Sequence, residues 1–179
     1  MVDESPTNRT VSTDQSDQGA VQLTATAYHE AGHAVMALAL GRLVQQVTVV
    51  AQKTQVGNSR LGACEVKSGR SKASSTRLED DVMILFAGMV AEARYTGEYC
   101  LHGAKGDLAA IKRILCGRAT SQSQHDRLHR RLLGKTEHFL SRNGHPEAIE
   151  LIARELISKS KISGRAVRHI YERTMQQNS

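Results

Sequence analysis

A chain of 179 residues, 40% of them hydrophobic, is long enough to bury one proper core and too short for two comfortable ones. Aromatics make up 3% with no Trp, which points away from a β-sandwich and toward a helix-rich core of Ala, Leu, Ile and Val. The net charge of +6 permits an acidic partner but bears first on solubility and nonspecific binding.

Residues 1–20 are rich in Ser, Thr, Asp and Gln; they cannot offset the entropy of ordering and are expected to form a disordered polar tail, with residues 21–179 as one domain. The first helix is expected from Thr24 to Leu40, with Thr24 or Thr26 as N-cap and Gly41 as its stop. Val44–Val50 is rich in β-branched residues and reads as a strand, Leu61–Val66 as a second, and Gly57-Asn58 supplies turn chemistry between them. Lys67–Thr76 reads as a polar loop, and Leu78–Tyr95 as a helix apolar nearly all round, hence the buried centre of the domain. There Gly88 would let a neighbour approach closely.

A loop holding Cys100 and His102 follows, and then Asp107 opens a helix running from Leu108 to Cys116. Leu128, Leu132, Thr136, Phe139 and Leu140 keep helical spacing despite Gly134. Pro146 fits the first turn of the next helix, and a last helix begins near Ser163 or Gly164 and buries Val167 and Ile170. His125, His129, His138 and His145 read as solvent-facing. Cys64, Cys100 and Cys116 lack C-x-x-C spacing; they read as small core hydrophobes in a reducing cytosol rather than a disulfide framework. No apolar run approaches the roughly 20 residues of a membrane helix, so a soluble, cytoplasmic protein is expected. The fold class is therefore mainly α, in the α+β sense, with a small β-sheet after the first helix. Gly134-Lys135-Thr136 resembles the end of a phosphate-binding loop, but the first glycine of that motif would fall on His129, inside a helical pattern, so no nucleotide site is expected.

The stretch that carries chemistry is His29-Glu30-Ala31-Gly32-His33. A four-residue step on a helix turns through about 400°, so both imidazoles point the same way and can grip one ion. Glu30 stands beside them, placed to handle a water's proton without being a ligand. With 8 His among 179 residues, such a pattern arises by chance roughly 0.02 times in this composition, so it carries weight. A catalytic zinc takes three protein ligands and keeps one open position. No His or carboxylate follows at the usual short spacing after His33, which leaves Glu92, Asp107, His102 and Cys100 as candidates. Asp107 ahead of Leu-Ala-Ala-Ile also reads as an ordinary N-cap.

Ala27–Ala34, Val47–Val50, Leu61-Gly62-Ala63, Ala87–Glu92 and Gly103–Leu108, in that order, together resemble the peptidase domain of the FtsH family of ATP-dependent zinc proteases. The resemblance implies a helical zinc-peptidase domain binding one Zn²⁺ per chain, with Asp107 as third ligand beside His29 and His33, and Glu30 as general base. The motif departs from the family at Gly106, where Asn is usual. Glu92 matches an acidic position of the family, and a role holding an imidazole N–H suits it better than direct ligation. The family lays its substrate along an edge strand; Leu61, Gly62, Ala63 and Cys64 could do so here, with unfolded segments or peptides as substrates. The ATPase and membrane anchor of the family are not expected in this chain, so hydrolysis would be ATP-independent.

Two other functions fit the sequence. A catalytically silent domain, its metal structural or absent, could serve as an interaction partner or adaptor in a larger assembly, as a homo-oligomer or with a partner protein. Nucleic acid could bind the segment from Lys112 to Arg142, whose 8 Lys and Arg face only Asp126 and Glu137; without interleaved stacking aromatics, a solvated helix face is favoured.

Overall fold

The computed structural model describes residues 12–50, 52–53, 59–60, 62–67, 75–142 and 144–179. Six helices and a small sheet follow in the order α1 (Ser12–Ala39), β1 (Val44–Thr48), β2 (Gln52–Lys53), β3 (Ser59–Arg60), β4 (Ala63–Val66), α2 (Ser75–Thr96), α3 (Lys105–Cys116), α4 (Gln122–Leu140), α5 (His145–Lys159), β5 (Lys161–Ser163) and α6 (Gly164–Gln177). The mainly helical class and the small sheet after the first helix agree with the sequence reading.

Helix α1 begins at Ser12, well ahead of Thr24, so residues 12–20 are helical where composition suggests a disordered tail. Adding turns to an existing helix needs no new nucleus, and the packed part of α1 supplies that nucleus. Thr24 and Thr26 are consequently not caps: their hydroxyls donate to the carbonyls of Ala20 and Gln22 at 2.8 Å, one turn back. Gly41, at φ +72, stops the helix by the left-handed turn a side chain would resist.

The core forms where α1 crosses α2 and α5. Ala27, Ala31, Ala34 and Val35 of α1 meet Met83, Ala87, Val90 and Ala91 of α2, all buried. Small residues set the spacing: a Cβ on Gly32 would stand 2.4 Å from the Ala87 carbonyl oxygen, so the two backbones touch. On the far side of α2 a second cluster of Val82, Phe86, Met89, Ile111, Leu115 and Leu132 seats α3 and α4. Helix α2 is thus buried on both sides, as its nearly uniform apolarity predicts.

The sheet has the order β4-β1-β5, both pairings antiparallel. β5 is absent from the sequence reading because three residues, only one of them buried, give too short an alternation to recognise. β1 ends at Thr48 and β4 starts at Ala63, each shorter than expected; Leu61 and the Gly57-Asn58 turn lie outside the described residues, though β2 and β3 pair on either side of that turn.

Two further expectations fail. Cys116 is exposed and Cys100 only half-buried, so neither is a core residue, while half-buried Cys64 does pack against the main core. Of the four late histidines only His138 is solvent-facing. His129 packs edge-on against Phe86 with ring centroids 4.9 Å apart. His145 is buried, stacked on Phe139 at 4.9 Å with Tyr171 beyond at 6.2 Å. An imidazole has enough apolar surface to fill such gaps, and periodicity alone does not reveal it.

Candidate metal centre

His29 and His33 lie one turn apart on the face of α1 turned toward α2 and α3. They are 7% and 4% exposed, with Glu30 at 3% beside them. The ring centroids are 4.7 Å apart and nearly perpendicular, so the rings converge instead of stacking. Asp107 completes the group: its Oδ2 lies 3.0 Å from His29 Nε2 and 3.2 Å from His33 Nε2. The N-cap of α3 is Ala104, which caps with no side chain, and Asp107 is buried in the first turn, where the helix dipole favours a negative charge.

The outer nitrogens of both imidazoles are anchored. His29 Nδ1 donates to Glu92 Oε2 at 2.8 Å, and His33 Nδ1 donates to the Ile84 carbonyl oxygen at 2.7 Å. In the neutral ring a proton on Nδ1 leaves Nε2 as the lone-pair nitrogen aimed inward, the tautomer a metal requires. Gly88 makes this approach possible. A Cβ there would fall 2.5 Å from His33 Nε2 and 2.6 Å from His29 Nε2. Gly62, just before β4, plays a parallel part: a Cβ there would stand 2.7 Å from Glu30 Oε1, so the strand's start abuts the Glu30 carboxylate. Neither the Ile84 carbonyl nor the link between Gly88 and the imidazoles is in the sequence reading. The only signal is a glycine inside the most apolar helix.

The charges reinforce one another. Burial alone would lower the His29 imidazole, but Asp107 and Glu92 on its two nitrogens outweigh it and hold it up to about 9. Burial alone would raise Asp107, and the two imidazoles hold it well below the usual carboxylate range.

The donor set fits zinc. Tetrahedral ligands at about 2.0–2.1 Å from the ion stand roughly 3.3 Å from one another, and the imidazole–carboxylate separations of 3.0 and 3.2 Å come close to that edge. His33 Nε2 is also buried without an aligned hydrogen bond, which leaves a lone pair for a cation. Two imidazoles and a carboxylate make a borderline donor set of the kind zinc accepts. Among the described residues no other group of three or more His, Cys, Asp or Glu converges in this way. The second i, i+4 pair, His125 and His129, stacks with centroids 6.4 Å apart and does not converge. Cys100 lies off the centre, its Sγ accepting from the Gly103 backbone N–H at 3.3 Å, and His102 is exposed. Neither belongs to the converging group. A cleft of about 460 Å³ between the ends of α2 and α4, lined by residues including Arg94, Tyr99 and Glu137, contains none of the predicted site residues. No helix among the described residues is long and apolar enough to cross a membrane.

A family model described as Peptidase family M41 matches residues 19–138, a span that includes both imidazoles, Glu30, Glu92 and Asp107. No curated protein matches the chain.

Proposed function

The chain belongs to peptidase family M41, the family of FtsH-type peptidase domains, and from that premise we propose that it is a zinc-dependent endopeptidase acting on unfolded segments or peptides. One observation carries the reading: Asp107 Oδ2 meets His29 Nε2 and His33 Nε2 at 3.0 and 3.2 Å in a buried setting. His29, His33 and Asp107 would hold one zinc ion per chain. When bound, zinc supplies Lewis acidity, lowering the pKa of water toward neutrality and polarising a carbonyl.

The protein's own groups do the rest. Glu30, buried beside His29, takes the proton of the attacking water and returns it to the leaving nitrogen. Glu92 and the Ile84 carbonyl keep both imidazoles in the required tautomer and orientation. β4 pairs with β1 on one side only, at the edge of its sheet, so its outer backbone groups can accept an extended substrate. Gly62, just ahead of β4, abuts the Glu30 carboxylate, which supports a substrate path along this strand. Gly62, Ala63 and Cys64 would therefore line the substrate, with Leu61 ahead of them. Main-chain pairing of this kind makes few demands on substrate sequence.

The test is hydrolysis of an unstructured protein such as casein with zinc present. Glu30→Gln is expected to retain zinc and lose at least about a hundredfold in kcat, the contribution of a positioned general base. Cleavage by that variant at the parent rate would overturn the mechanism.

A further inference from the structure

The chain's entire surplus of positive charge sits on one stretch. Residues 112–142 hold 8 Lys and Arg against 2 Asp and Glu, while the remaining 16 basic and 16 acidic residues cancel. The fold turns this stretch outward. Arg127, Arg130, Arg131 and Lys135 of α4 are exposed and, at about 100° per residue, occupy an arc of roughly 140°. The centre of that arc lies nearly opposite Leu132, Thr136 and Leu140, the residues α4 buries. Asp126 and Glu137 fall together on one flank, outside the arc. α4 packs mainly against α2 and α3, which leaves the basic side uncovered. Glu79 draws in Arg131 at 2.5 Å and stands 3.8 Å from Lys135. Among the described residues Arg127 and Arg130 have no carboxylate partner. Lys112 and Arg113 of α3 are exposed too; they follow Asp107 by roughly 7.5–9 Å along the helix axis and flank the side of α3 turned away from it.

We propose that this basic side of α3 and α4 docks acidic segments of the polypeptide substrate and holds them beside the cleavage site. The inference rests on the peptidase reading above. Spacing favours an extended chain: acidic side chains at every second residue of a strand recur about every 6.8 Å, near the roughly 6 Å rise from Arg127 to Arg131 and from Arg131 to Lys135. Nucleic acid fits less well, because the exposed residues of α3 and α4 include no Phe, Tyr or Trp, and the single exposed imidazole, His138, offers no run of rings on which successive bases could stack.

The experiment uses a fluorogenic peptide with one cleavage sequence and either a Glu-Gly repeat or a Gln-Gly repeat as its tail. At about 50 mM salt the acidic tail is expected to lower KM at least fivefold with kcat unchanged. Raising salt to about 0.5 M should erase the difference, since surface charges are then screened within a few Å. Arg127→Glu with Arg130→Glu should abolish the preference while leaving kinetics on the Gln-Gly substrate unchanged. Equal KM for the two tails at low salt would overturn the proposal. Binding of the isolated tails to the Glu30→Gln protein, read by fluorescence anisotropy, separates this from failure of the peptidase reading, because it needs no turnover. Tight, Arg127-dependent binding of the Glu-Gly tail supports the docking surface even if no peptide is cleaved. Tighter binding of a single-stranded oligonucleotide of equal charge would overturn it in favour of nucleic acid.

Discussion

Glu92 Oε2 accepts the Nδ1 proton of His29 at 2.8 Å across the α1–α2 contact, both groups being buried. This bond holds the ring with its other nitrogen toward Asp107. Glu92→Gln can still accept through its amide oxygen but lacks the charge. It is expected to weaken zinc binding by about 10–100-fold, the usual effect of removing a ligand's hydrogen-bonding partner. Competition against a fluorescent zinc chelator measures this. Unchanged affinity would mean that Glu92 does not orient His29.

Gly88→Ala should separate stability from metal binding. Alanine improves an α-helix by up to about 1 kcal/mol over glycine, but here its methyl group would meet both Nε2 atoms at 2.5 and 2.6 Å. The variant is expected to fold, by circular dichroism, and to lose its zinc by elemental analysis. A folded Gly88→Ala protein with full zinc would show that the imidazoles do not lie against this glycine.

Zinc uptake should release a proton. The metal-free protein holds His29 protonated up to about pH 9, and a ligand imidazole must be neutral. Between pH 6.5 and about 9 binding is therefore expected to displace about one proton from His29, and affinity should rise with pH across this window. Titration calorimetry at pH 7.5 in buffers of different ionisation enthalpy reads the number directly. Zero release would contradict the His29–Asp107 pairing.

His145 predicts an acid-sensitive corner between α4 and α5. Burial outweighs its bond to the Phe139 backbone and lowers its pKa below 6.5, with Arg142 adding to the effect and Glu147 opposing it. A histidine held neutral in the fold contributes stability that is complete above the unfolded value near 6.5. That contribution is lost as pH falls through the folded value, because the unfolded chain takes up the proton first. His145→Phe keeps the stack on Phe139 without a titrating group. Its Tm should fall less than the parent's between pH 7.5 and 5, and equal falls would rule out His145 as the source.

These residues also show what could be read before the fold was known. His29, Glu30 and His33 announce themselves because a helix brings i and i+4 to one face, and α2 is legible from its unbroken apolarity. Asp107 stands 74 positions after His33, and nothing local separates a ligand from a helix cap; only the resemblance singled it out. The structure adds that Ala104 takes the cap position. Gly88 and the Ile84 carbonyl act through a contact between two helices, which no pattern within one segment encodes. β5 exists because β1 offers it an edge, and His145 is buried because Phe139 and Tyr171 close over it. Both are consequences of tertiary packing overriding weak local signals.

Zinc content of the purified protein, measured by inductively coupled plasma mass spectrometry beside Asp107→Ala, addresses the centre most directly. About one zinc per chain is expected for the parent and less than about a tenth of that for the variant, with the helical circular dichroism of both intact. Full zinc occupancy in a folded Asp107→Ala protein would contradict this centre.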